Sequence, residues 1–334
     1  MIKIPVISIK PYGITLYEQY LTSRPRNEDE LPRPYRWRPS HNQPSGIISP
    51  RAARRIESAL KWLLFFSRSQ KVYDRENRRF IKFRLCFVTI TLSSTQRHSD
   101  QVIKSRLFNQ LLTELREQNN MQHYIWRAEK QENGNIHFHL VTNVFLNAAK
   151  LRQKWNRIQN KSGYVDAYAA RMHAQVHNFA DYYRLFSSQG TPAQLRRRFI
   201  QGQATAWHNP NSTDIHSVRH VNDITRYLCK YLCKNLLSEY KSYEEIPPHL
   251  LVSGKLWGLS QSLSALKKIT TEVDSFISND LEKLFTVFAD RVMVADYCVF
   301  IPVRLPDIVR LGCTSILRCI FERLKEIGIY SLTF

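Results

Sequence analysis

The dipeptide Asn133-Gly134 constrains the fold of this chain more than any other feature. It lies between two stretches rich in β-branched and aromatic residues, Tyr124 to Gln131 and Ile136 to Val144. Asn-Gly readily adopts the positive backbone torsions of a tight hairpin turn, so the two stretches are expected to pair antiparallel. Side chains alternate along a strand, and His137 and His139 therefore share one face, as chelation of a single ion requires. The register across the turn decides what meets them. With a two-residue loop, Lys130 opposes His137, and Glu129 opposes Phe138 on the wrong face. With a three-residue loop, Asn133 to Asn135, Gln131 opposes His137 and Glu129 opposes His139. The residues alone leave both registers open. Two imidazoles and one oxygen ligand would leave positions for substrate oxygens, a donor set that suits Mg²⁺ or Mn²⁺ in phosphoryl transfer.

The surroundings of the hairpin extend the pattern. Phe83 to Leu92 reads as a strand, and residues 100–118 read as an amphipathic helix with Val102, Leu107, Leu111 and Leu115 on one side. Residues 147–205 read as mostly helical, Asp214 to Val218 as a fourth strand and Asn222 to Leu237 as a helix. This order of strand, helix, hairpin, helical insertion, strand and helix implies an α+β fold, with an antiparallel sheet and helices packed on one face. At the N-terminal side, residues 1–9 read as a strand that Pro5 would confine to a sheet edge. Residues 21–48 read as a loop, and Ser49-Pro50 as the start of a helix running to about Ser69. Beyond Tyr240, a helix is expected over 272–288, a strand over 291–303 and another helix over 307–327. Three regions follow: an N-terminal extension (1–80), a central domain (81–240) with an insertion at about 147–205, and a C-terminal accessory region (241–334).

The charge balance narrows the partners. Forty-nine Lys and Arg against 28 Asp and Glu give a formal net charge of +21, which attracts polyanions and releases their counterions. With 12% aromatic residues, the composition suits single-stranded nucleic acid, where bases stack and phosphates are neutralised. Arg196, Arg197 and Arg198 form a run within the insertion that reads either as a DNA contact or as a solvated helix face. No apolar run approaches the roughly 18 residues needed to span a bilayer, and residues 1–20 carry no secretory pattern. The six cysteines include no C-x-x-C pair and are expected to be reduced, which points to a cytosolic compartment and no membrane partner.

The second motif is Tyr227-Leu228-Cys229-Lys230-Tyr231-Leu232-Cys233-Lys234. On a helix, Tyr227 and Tyr231 share a face, and Lys230 and Lys234 each follow a tyrosine by three residues. Ile224, Leu228, Leu232 and Leu236 form a separate stripe that can bury against a sheet. A phenol with a pKa near 10 is a poor nucleophile at neutral pH, and adjacent cations are expected to favour its ionised form. A tyrosine attacking a phosphodiester would leave a covalent phosphotyrosine and a free 3′-hydroxyl. A second tyrosine on the same face could then cut the next junction. Other residue pairs arise by chance; His173 and His177, four apart on an expected helix, are one such pair.

Together, these motifs resemble the HUH endonuclease superfamily and, within it, the rolling-circle replication initiators of small single-stranded DNA phages of the microvirus type. The resemblance covers roughly residues 80–240, with Phe87 to Leu92, Glu129 to His139 and Tyr227 to Lys234 in the family's order. It implies an HUH sheet, of the RRM-like kind, and a divalent ion on His137 and His139 completed by an acidic residue on a neighbouring strand, here Glu129. It also implies Tyr227 and Tyr231 as nucleophiles, with Lys230 and Lys234 assisting at the phosphate. The long helical insertion departs from compact members. A transposase or relaxase with the same chemistry is the nearest rival, but paired tyrosines favour replication, and no third histidine clusters near the metal motif as in relaxases. A non-catalytic single-strand-binding module on such a sheet is the rival of another class. The pattern G-x-x-x-x-G-K-[ST] is absent, so strand separation is expected to depend on a host helicase and the replication machinery, acting with this protein at a single-stranded origin in the bacterial cytoplasm.

Overall fold

Strands form where apolar alternation finds a partner on each face, and the order of elements follows from where that alternation switches to the helical period. The computed structural model describes residues 2–20, 48–67, 69–74, 78–218, 224–234, 245–266 and 269–328. The chain begins with β1 (Lys3–Lys10) and β2 (Gly13–Tyr20), then α1 (Pro50–Phe66) and a hairpin of β3 (Gln70–Asp74) and β4 (Arg79–Phe83). Next come β5 (Leu85–Thr91), a continuous helical run of α2 (Asp100–Val102), a π-helical segment (Ile103–Phe108) and α3 (Asn109–Asn119), and the hairpin of β6 (Tyr124–Lys130) and β7 (Ile136–Thr142). Helices α4 (Ala148–Asn160), α5 (Tyr164–Gln175), α6 (Phe179–Phe186) and α7 (Pro192–Ala204) precede β8 (Thr213–Val218), α8 (Ile224–Leu232) and β9 (Trp257–Leu259). The last elements are α9 (Gln261–Ala265), β10 (Ile269–Glu272), α10 (Ser275–Phe288), β11 (Met293–Ala295), β12 (Cys298–Ile301), α11 (Leu305–Arg310) and α12 (Thr314–Glu326). The fold is α+β, with antiparallel pairing across β10-β1-β2-β12-β11 and across β8-β5-β7-β6.

The chain divides into two compact units. One comprises Met1–Pro39, Glu57–Arg68 and Leu259–Phe334, and its sheet has the order β10-β1-β2-β12-β11. Here β1 is an interior strand, which corrects the expectation that Pro5 would place it at an edge. The reason is local. Pairing with β10 runs only from Val6 to Ile9, and the Pro5 carbonyl accepts from Val273 N just beyond it, so the missing N–H faces a point where the ladder has already ended. The span expected as one strand at 291–303 is the hairpin β11–β12, turning at Asp296-Tyr297. The helix expected at 307–327 is two helices, broken at Gly312, whose φ of +63° is left-handed.

The other unit comprises Ser40–Ile56 and Ser69–Gly258. Its sheet has the order β8-β5-β7-β6-β9. Along β5, β7 and β6, one face presents Val88, Ile90, Phe138, Leu140, Trp126 and Ala128, and Phe138 stacks on Phe108 of the π-helical segment at 3.9 Å and 4°. Trp126 meets both rings edge-on. The opposite face presents Phe87, Thr89, Arg127, Glu129, His137 and His139, and α8 lies over it through Tyr231. Helices therefore cover both faces rather than one. Helices α4 to α7 fill the expected insertion, with a core of Met172, Tyr182, Leu195, Phe199 and Trp207. No helix among the described residues is long and apolar enough to cross a membrane.

Candidate metal and tyrosine site

The β6–β7 register matches neither loop length expected from sequence. Lys130 pairs with Ile136 and Glu129 with His137, so the loop is five residues, Gln131 to Asn135. It closes through Gln131 N to Asn135 O at 2.8 Å and Gly134 N to Gln131 O at 2.8 Å, and Gly134 takes the left-handed torsion at φ +79°. The three-residue register is thus shifted by two positions. Because the side-chain period is two, this shift keeps Glu129 on the histidine face while moving it from opposite His139 to opposite His137.

The three side chains converge. Glu129 Oε1 lies 2.8 Å from His137 Nε2 and 2.9 Å from His139 Nε2, and the two nitrogens are 3.1 Å apart. Among the described residues this is the one group of three acid, thiol or imidazole side chains suited to hold a metal ion. Ligands at about 2.1 Å from a shared ion and at right angles to each other stand about 3 Å apart, so the observed spacing fits a divalent cation. The chemistry of the donors fits as well: three atoms that each offer a lone pair face one point, where direct hydrogen bonding cannot satisfy every pair. Burial pushes the Glu129 carboxyl up, but the hydrogen bonds and charge of His137 and His139 outweigh it and hold the group far below the usual carboxylate range. Burial lowers His139, only partly opposed by Glu129, which favours the neutral imidazole that a metal needs.

Three supporting residues are not among the site residues expected from the sequence, although Phe87 and Thr89 lie in the first-strand motif, Phe87 to Leu92. Thr89 pairs with His139 in the ladder, and its Oγ1 lies 3.2 Å from His139 Nδ1, fixing the ring with Nε2 toward Glu129. Phe87 stacks on the His139 ring at 5.3 Å and 15°. Arg127, 2% exposed, donates from Nη1 to the Tyr231 carbonyl at 2.8 Å and reaches Glu129 Oε2 at 3.6 Å from Nη2. Its place opposite His139 would have revealed it once the register was known. A charged residue on a strand otherwise reads as exposed.

Helix α8 behaves as its pattern implies. Leu228 and Leu232 are fully buried, Ile224 is half-buried, and Lys230 and Lys234 are exposed; Leu236 lies outside the described residues. The Tyr231 ring lies 5.2 Å from Phe87 and 6.0 Å from His139, and Tyr227 packs against Tyr231 at 5.3 Å. Both tyrosines thus stand on the histidine face, with Tyr231 nearer to His139. At Tyr227 the expected lowering of the phenol pKa is not what this arrangement produces. A hydrogen bond with Tyr231, followed by burial, raises the Tyr227 phenol above its ordinary value, because the phenols meet each other while the lysines are exposed. The pair His173 and His177 does not share a helix, since α5 ends at Gln175 and Val176 is extended.

Residues 85–236 match the family model described as replication-associated protein ORF2. That segment runs from the start of β5 past the end of α8 and contains every residue of the site. Comparison with curated proteins and with solved structures gave no match.

Proposed function

We propose that this protein is a replication initiator that nicks single-stranded origin DNA through a tyrosine. The observation that carries the reading is the Tyr231 ring packed against both Phe87 and His139, which stack on each other, so that a phenol lies on the same sheet face as three side chains able to hold a metal ion. His137, His139 and Glu129 would hold Mg²⁺ or Mn²⁺, and two imidazoles favour Mn²⁺ by affinity. When bound, the ion polarises a phosphate oxygen and neutralises developing charge.

The remaining chemistry belongs to the chain. The phenol of one tyrosine loses its proton and its oxygen bonds to phosphorus. The bond from phosphorus to the 3′-oxygen breaks, and that oxygen leaves with a proton as a free 3′-hydroxyl. The 5′-phosphate stays on the tyrosine until a 3′-hydroxyl attacks it and restores the phosphodiester. Lys230 and Lys234, exposed beside the tyrosines, would pair with phosphates of the bound strand. Thr89 and Phe87 hold the His139 ring, and Arg127 holds the backbone of Tyr231. Tyr227 and Tyr231 would alternate, one keeping the old end while the other cuts the new junction. This is the division of labour of the two-tyrosine HUH initiators of microvirus-like phages. A host helicase would supply strand separation in the cytoplasm.

The test is incubation with single-stranded origin DNA and Mn²⁺, followed by denaturing electrophoresis for a covalent protein–DNA adduct. Wild type should form the adduct, and the double variant Tyr227→Phe/Tyr231→Phe should form none. An unchanged adduct in the double variant would leave a different nucleophile. No adduct in wild type across candidate origins would leave a non-catalytic binding module.

A further inference from the structure

The insertion helices and the segment after α7 line an open-mouthed cavity of about 430 Å³, within the size range of small-ligand sites. Its wall combines two arginines from different helices, Arg152 of α4 and Arg198 of α7, with the rings of Tyr168, Tyr182 and Trp207. Arg198 Nη1 donates to the Gln189 carbonyl at 3.1 Å, which leaves its other guanidinium N–H groups for a ligand, and the buried Nε of Arg152 has no hydrogen-bond partner. The amides of Gln201, Asn209 and Asn211 complete the wall.

The aromatic side is built at a cost. Ala206 and Trp207 both take left-handed torsions, φ +45° and +62°, which non-glycine residues rarely adopt. They are held there by Trp207 N donating to Gly202 O at 2.8 Å and by the Trp207 ring stacked on Tyr182 at 5.7 Å and 18°. Gly202 is required for this, since a Cβ there would lie 1.9 Å from the Trp207 ring.

The cavity is also fastened to the sheet. Asn156 donates to Asn209 Oδ1 at 3.1 Å and to Pro210 O at 3.0 Å, anchoring the segment that leads into β8. Further along that segment, the Ser212 carbonyl accepts from Thr91 N at 2.9 Å, and Thr91 pairs directly with His137. Two strand spacings, about 10 Å, therefore separate the backbone of Ser212, the residue after the lining Asn211, from that of His137.

We propose that this cavity binds one nucleotide of the single strand, its phosphate on Arg152 and Arg198 and its base against the aromatic wall, at a fixed offset from the scissile phosphate. Arginine forks match phosphate oxygens, stacking accepts any base, and amides read base edges. That the strand is DNA rests on the nicking reading above; the cavity chemistry itself asks only for a nucleotide.

The experiment uses the full chain in EDTA, so no cleavage is needed. A labelled single strand is titrated by fluorescence anisotropy against wild type and Arg152→Gln/Arg198→Gln at several salt concentrations. The variant should bind about tenfold more weakly, and its log–log salt slope should flatten by about 0.7, the value for a single phosphate on a single strand. In parallel, wild type is photocrosslinked to a strand carrying 5-iodouracil, and the peptides are mapped. Crosslinks at Tyr168, Tyr182 or Trp207 support the proposal even where the variant fails to fold. Unchanged affinity and slope in a folded variant, with no crosslink at those rings, overturn it. Deoxythymidine monophosphate binding as tightly as the strand, read by tryptophan fluorescence, would overturn the strand as source. Crosslinks in the cavity together with no tyrosine adduct in the separate Mn²⁺ assay would sink the nicking reading alone, and a normal adduct in that assay without cavity crosslinks would sink the cavity alone.

Discussion

On one face of β5, β7 and β6, Phe138 lies flat on Phe108 with Trp126 against both; one residue along each strand, on the other face, lie Glu129, His137, His139 and Arg127. The first face is mostly apolar: Val88, Ile90, Phe138, Leu140 and Ala128 are buried and Trp126 is half-buried, with the Lys130–Asp100 ion pair at its end. The second holds a half-buried carboxylate beside a buried guanidinium, and leaves His137 Nδ1 and Arg127 Nε buried without hydrogen-bond partners. Unpartnered polar atoms of this kind cost stability. The contrast teaches that the aromatic face supplies the rigidity with which the polar face is held, and that neighbouring positions on one strand carry unlike duties.

Substitutions can break that contrast. The largest effect is expected from His139→Ala, which should lower adduct formation at least about 100-fold, since metal chemistry supplies several kcal/mol. Its thermal midpoint should stay within a few degrees of wild type. A collapse of the melting transition would make the metal-ligand group part of the folding core and erase the distinction. Phe138→Ala should do the reverse, costing about 3–5 kcal/mol in urea unfolding while adduct formation per folded molecule changes only a few-fold. Arg127→Met tests the link between the faces and α8. Loss of its bond to the Tyr231 carbonyl should lower the adduct rate about tenfold and raise amide exchange across α8. Equal exchange in wild type and variant would assign Arg127 to Glu129 alone.

The smallest effect concerns acid stability on the aromatic side. Asp100 is buried there, and its carboxylate accepts from Lys130 and Gln96 at 2.7 Å and from Ser253 N at 2.9 Å. Burial raises its pKa, but these bonds outweigh it, so the folded value is depressed. Its stabilisation is complete above the ordinary carboxylate value of about 4 and is lost as pH falls through the lowered folded one. Unfolding midpoints measured across the acid range should therefore fall more steeply for wild type than for Asp100→Asn.

Much of the architecture could be read from periodicity. The helices α4 to α7, the strand β8 and the leucine side of α8 fall where the pattern places them, because apolar spacing reports burial directly. What escaped depended on partners distant in sequence. Nothing in residues 1–9 announces that β10, from the far end of the chain, will flank β1. No glycine or proline marks the β11–β12 reversal at Asp296-Tyr297. The spacing puts the two histidines on one face, and it is the twin-tyrosine motif that singles them out, whereas Arg127 acquires its role only through cross-strand pairing. The phenol shift was missed because it arises from one tyrosine meeting the other rather than from nearby lysines.

The five-residue turn between β6 and β7 also restricts which insertions and deletions this chain can survive. Losing or gaining one residue there, if the strands re-paired, would turn the Glu129 carboxylate toward Phe138 and strand a charge among aromatic rings. Losing or gaining two would slide the carboxylate along the same face and leave it beside an imidazole. Length variation at this tip is therefore expected in even steps, a parity rule on the gene that follows from the pleat of a strand.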